Sequence, residues 1–187
     1  GRDGSFFYGL WHTSNDVYQA VVDPATLRVQ GTPQRLVETF LGHNAAPSWS
    51  PSGDSFAYRS EREIGGTYRL VVRHADGKET VAAEPIRLTE FAPRWCGTGD
   101  RLLWWGTPTF TLLRLFDART GAASAHDVQV KGVRAPWMLG VSPDCQSAYV
   151  STYSRDSKQR RIYRYDFATG KESGLLTDAG NWAPQLI

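Results

Sequence analysis

Short alternating runs of apolar and polar residues, broken by turn residues, dominate this chain. Over 46–62 it reads Ala-Pro-Ser-Trp-Ser-Pro-Ser-Gly-Asp-Ser-Phe-Ala-Tyr-Arg-Ser-Glu-Arg. A short strand ends at Trp49, and Ser50 to Gly53 make a turn. Proline there presets a negative φ and glycine accepts a positive one. Phe56 and Tyr58 then alternate with smaller or polar residues, the period of a half-buried strand.

The unit recurs. Aligning the turns places them at 4, 53, 99 and 145. Each turn leads into a second strand, then a polar loop and a third strand. The third strands are read at Asp16 to Val22, Tyr68 to Arg73, Thr111 to Phe116 and Arg161 to Asp166. Each ends in a second turn, at Asp23, His74, Asp117 and Asp166. More polar fourth strands are expected at Pro33 to Val37, Pro85 to Thr89, Asp127 to Val130 and Gly174 to Thr177.

Four strands every 46 or so residues, with no helical period between them, predict an all-β protein. The pattern is that of β-propeller blades of four antiparallel strands, about four in number, as a small or partial propeller. The blades fall near 1–45, 46–91, 92–137 and 138–182, within a single propeller domain. Residues 183–187 are the inner strand of the next or the first blade. The chain opens on a turn without its inner strand and stops at an inner strand without its turn. It either closes a four-bladed ring or is a slice of a larger one. We expect the slice, whose incomplete edges could pair two copies as a homodimer.

Composition adds limits. Of 187 residues, 21 are basic and 19 acidic, so no case for a nucleic-acid partner exists. The apolar runs fall far short of a membrane span. No signal peptide precedes Gly1, and the only methionine is Met138, so we expect a processed or excised chain. Cys96 and Cys145 lie at the turns of neighbouring blades. Their positions within those turns differ, which predicts a mismatch in height and hence free thiols.

The repeats resemble the TolB-type, or WD40-like (PD40), bacterial propeller repeat. The second blade carries Pro47, Trp49, Ser50, Pro51, Gly53, Phe56, Tyr58, Arg62, Gly77, Leu88 and Thr89 of that pattern. The third keeps Pro93, Trp95, Gly99, Asp117 and Gly121, with Cys96 where serine is usual. The fourth keeps Ser142, Pro143, Asp144, Tyr163, Asp166, Gly170, Leu176 and Thr177, with Cys145 where glycine is usual. The resemblance covers essentially the whole chain. It implies a periplasmic or extracytoplasmic setting, and roles ranging from scaffold to sensor to companion of a peptidase domain.

No Gly-x-Ser-x-Gly elbow is present, and no Cys/His cluster has metal-ligand spacing. Glu61, Glu63 and Asp156 fall on rim loops, as solvated charges. His74 and His126 fall beside the outer turns, where solvated side chains are the default. We expect no catalytic residue, no metal and no cofactor. The expected function is a non-catalytic binding or scaffold domain within a larger bacterial protein. The alternative is the propeller portion of a peptidase-type hydrolase or a lyase whose catalytic residues lie elsewhere. A protein or small ligand would meet the loop-rich face, where the pattern places Trp11, His12, His43, Asn44, Arg62, Trp104, Trp105, Trp137, Arg155 and Trp182. Aromatic side chains with arginine and asparagine nearby suit a peptide or sugar patch. Trp49 and Trp95 are assigned to packing.

Overall fold

A computed structural model describes residues 14–63, 67–83, 85, 92–105, 112–128, 137–154 and 159–178. These form two units, Gly1–Ala45 and Ala46–Ile187. In the first, β1 (Tyr18–Val22) pairs antiparallel with β2 (Val29–Arg35). An aspartate builds the connecting turn: Asp23 Oδ1 accepts the N–H groups of Ala25 and Thr26 at 2.8 and 3.1 Å. The turn closes when Leu27 N–H donates to the Asp23 carbonyl at 2.8 Å. Gly121 and Gly170 make the same bond to Asp117 and Asp166.

Leu27 thus occupies a place that glycine fills elsewhere, with φ of 55°. A side chain in the left-handed region costs about 1–2 kcal/mol. This one is 79% exposed and offers little packing in return. Leu27→Gly is therefore expected to raise the stability of the hairpin by up to about 1 kcal/mol, after the entropy glycine adds to the unfolded chain. Slower amide exchange across β1 and β2 would show it.

The second unit holds three four-stranded antiparallel sheets. The first runs β3 (Asn44–Trp49), β4 (Ser55–Glu63), β5 (Thr67–His74) and β6 (Glu79–Val81). The second runs β7 (Arg94–Cys96), β8 (Arg101–Trp105), β9 (Leu112–Asp117) and β10 (Ala123–Asp127). The third runs β11 (Trp137–Val141), β12 (Ser147–Ser154), β13 (Gln159–Asp166) and β14 (Glu172–Asp178). Each is a meander in which sequence neighbours are sheet neighbours. Among the described residues there is no helix. The strand expected at Phe6 to Leu10 and the segment 183–187 lie outside the described residues.

The outer strands begin earlier than the pattern predicts. β2, β6, β10 and β14 start at Val29, Glu79, Ala123 and Glu172. For β2, β10 and β14 the reason is the tight aspartate turn, and β6 follows a close turn from His74 to Gly77. Asp117 Oδ1 accepts the N–H of Arg119 and both the N–H and hydroxyl of Thr120. Asp166 Oδ1 binds both Thr169 donors in the same way, each at 2.8 Å. Such a turn reverses the chain at once, so pairing resumes within a few residues. The polar character of those residues concealed it.

Alternation along each strand sends one set of side chains to each neighbouring sheet. Ala57, Leu70, Val72 and Ala82 of the first sheet bury against Leu102, Trp104, Phe116 and Ala118 of the second. On the opposite face of the second sheet, Leu103, Leu113 and Val128 bury against Ala148, Val150 and Tyr165 of the third. Each fully buried leucine or phenylalanine contributes roughly 1.5–3 kcal/mol, so these two wedges carry the stability of the unit.

The turns at the inner strands dock on one another as well. Ser50 and Ser142 each accept a backbone N–H through their hydroxyl, from Ser55 at 3.1 Å and Ser147 at 2.9 Å. Gly99 sits so close to the preceding turn that a Cβ there would meet Ser50 Cβ at 3.3 Å. One step along, Gly97 N–H donates to the Pro143 carbonyl at 2.6 Å. Cys96 and Cys145 meet at this second seam and form a disulfide, with Cα atoms 5.3 Å apart. The expectation of free thiols is corrected. The difference in position within each turn does not separate the cysteines; it matches the stagger between adjacent sheets.

Candidate functional site

The loop-rich face lies at the strand ends opposite these turns. Trp105 ends β8 and Trp137 opens β11, so both reach that end of their sheets. Arg62 lies near the end of β4, and Tyr68 faces Glu61 at the start of β5. On the same stretch Arg59 places its guanidinium 4.5 Å over the Tyr68 ring, a cation–π contact. Trp11, His12, Arg155 and Trp182 lie outside the described residues.

Arg62 is not a free rim charge. It pairs with Glu79 Oε2 at 2.5 Å and sits 3.4 Å from the Tyr58 hydroxyl. The Tyr58 hydroxyl donates to Glu79 Oε1 at 2.6 Å. Burial acts to raise the Glu79 carboxyl, but the Tyr58 and Arg62 donors outweigh it and hold it below its ordinary value. Burial and the adjoining carboxylate push the Tyr58 phenol far up. The cluster is a half-buried ion pair with a phenol hydrogen-bonded to it. It ties the outermost strand β6, across β5, to β4, so Arg62 braces the sheet at this end.

Asn44 is likewise engaged within its own unit. It is fully buried, and its Nδ2 donates to Asp16 Oδ1 at 3.1 Å and to the carbonyls of Thr39 and Phe40 at 3.1 and 2.9 Å. Asp16 also accepts the Gly42 N–H at 2.9 Å. Burial alone would raise the Asp16 carboxyl, yet these donors bring it below its ordinary value. Phe40 and Gly42 both adopt positive φ, 52° and 83°, and the Asn44 amide clamps the loop that needs them. His43 beside it forms an isolated parallel bridge with Asn15 and is half-buried.

Trp104 belongs to the core. It is 3% exposed and meets Phe116 edge to face at 5.7 Å. Strand alternation decides this: Trp104 shares the inward face with Leu102, in line with Tyr58 and Val150 of the other sheets. Trp49 is the reverse case. Assigned to packing, it is 46% exposed and touches Phe56 with ring centroids 5.3 Å apart. Trp95 does pack, and its Nε1 donates to the Ser48 carbonyl at 2.8 Å, tying two sheets together.

The two outer histidines are partnered, not solvated. His74 is within 3.3 Å of the Ser55 hydroxyl through Nδ1 and 3.0 Å of the Thr80 hydroxyl through Nε2. His126 lies against the Phe167 ring at 4.7 Å, and desolvation lowers its basicity. Neither Asp16 nor Glu79 stood out in the sequence, since a lone acidic residue beside a turn reads as solvated. Among the described residues no group of His, Cys, Asp and Glu has the geometry to hold a metal ion.

Solved structures settle the architecture. TolB from Acinetobacter baumannii superposes with a TM-score of 0.56 at 18% identity, over 77% of this chain and 34% of that one. The nidogen/laminin complex gives 0.51 at 13% identity, over 78% and 51%. Kuenenia stuttgartiensis hydrazine synthase gives 0.50 at 14% identity, over 84% and 43%. The fold is that of β-propeller blades. No family model matches the chain, and no curated protein sequence does. At these identities the likeness fixes the fold alone. The chain spans between about a third and a half of the length of these structures. Among the described residues no helix is long and apolar enough to cross a membrane.

Proposed function

We propose that this chain is a non-catalytic propeller segment that binds a protein or peptide across the strand ends opposite its turns. One observation carries the reading: two sheets have a tryptophan position at that end, Trp105 closing β8 and Trp137 opening β11, on a scaffold held by two buried wedges. Rigid aromatic groups on a preorganised surface lose little entropy on binding. The nidogen structure, solved as a complex with laminin, is an example of such a fold engaged with a protein. The buried disulfide supports work outside a reducing cytosol, where such bonds persist.

A second reading follows from hydrazine synthase, an enzyme by name with the same fold: the chain is the propeller part of an enzyme. One selection separates the two. A displayed random-peptide library is panned against the folded chain and against Trp105→Ala/Trp137→Ala. A peptide consensus recovered at least tenfold less by the double variant, with an unchanged circular dichroism spectrum, is the expected result (~1.4 kcal/mol or more of binding energy). Equal recovery by both proteins would remove the binding face from these residues.

A further inference from the structure

We propose that the Cys96–Cys145 bond is a permanent clasp, installed after the two turns have met, and not a redox switch. The inference is independent of the binding face. Three observations carry it. First, both sulfur-bearing residues are buried, at 3% and 5% exposure, so a reductant has no route to them in the folded chain. Second, the seam is aligned without the bond: Gly97 N–H donates to the Pro143 carbonyl, and a Cβ at Gly97 would stand 3.4 Å from Cys145 Sγ. Third, Cys145 holds φ of 58° in a turn whose counterparts Gly53 and Gly99 are glycine at 76° and 101°. A non-glycine residue is unfavourable there. The cost is accepted at the one turn where the side chain forms a covalent link.

The clasp also falls where the innermost strand is weakest. β7 has only three residues, and Cys96 is its last. Installation is a thiol–disulfide exchange. One cysteine thiolate attacks a disulfide of the donor and forms a mixed disulfide, releasing the first donor thiol. The second cysteine thiolate then displaces the other donor sulfur. Two electrons and two protons pass from the pair to the donor, which leaves as a dithiol. A protein disulfide donor of an oxidising compartment is the class of co-reactant required.

The test uses the whole chain produced in an oxidising compartment and quenched with N-ethylmaleimide in denaturant, so that any buried thiol is reached. Mass spectrometry is expected to show no adduct before denaturing reduction and two after it. Two adducts on the unreduced protein would overturn installation. Reduction by glutathione is then timed on native and on urea-unfolded protein. The native bond is expected to react slower by on the order of tenfold or more, because access limits exchange. Equal rates would overturn the clasp and mark the bond as labile.

Discussion

Cys96→Ser should lower the stability of the oxidised protein by about 4 kcal/mol, the loop-entropy value for a cross-link of this span. The two cysteines are 49 residues apart, so the bond removes a large loop from the unfolded ensemble. For a unit of this size that corresponds to a fall in thermal midpoint of roughly 10 °C. Position 145 offers an internal check. Cys145→Ala and Cys145→Gly lose the same bond, but alanine must also hold φ near 58°. The glycine variant should be the more stable of the two by roughly 1 kcal/mol. Urea unfolding of the three variants beside the oxidised and the reduced parent measures this. A Cys96→Ser variant as stable as the oxidised parent would show that the cross-link contributes nothing to the seam.

Trp104→Ala should cost about 3–5 kcal/mol of stability, the range for emptying an aromatic site in a close-packed core. Its ring fills the wedge between the first two sheets against Phe116. Trp104→Phe should be far milder. Among the described residues the buried indole Nε1 has no hydrogen-bond partner, so removing it breaks no hydrogen bond there. The smaller ring leaves only a modest void. Chemical denaturation with tryptophan fluorescence as the signal distinguishes the two. If Trp104→Ala left the unfolding midpoint unchanged, the wedge would not carry the stability assigned to it.

The architecture was legible because it rests on local rules repeated at a fixed spacing. Gly53 and Gly99 mark turns with positive φ, and Phe56 and Tyr58 alternate as a half-buried strand must. What one strand does to its neighbours was less legible. Trp104 and Trp105 are adjacent and equally apolar, and only the registry of β8 against β9 sends Trp104 into the wedge. Asn44 and Arg62 looked like surface polar groups because their partners are distant in sequence. Asp16 is 28 positions from Asn44, and Glu79 is 17 from Arg62. The cysteine pair failed for the same reason. A bond between sheets depends on how one turn is offset from the next, and that offset is a property of stacking.

That offset sets a rule for the whole row of turns. The serine place of one sheet abuts the glycine place of the next, at Ser50 against Gly99 as at Cys96 against Cys145. Both joints among the described residues thus come with a ready seat for a rivet, and one of them is filled. The other seat resists, because Gly99 holds φ of 101°, well beyond the 58° that Cys145 adopts. Backbone twist, and not distance, decides which joint can be riveted.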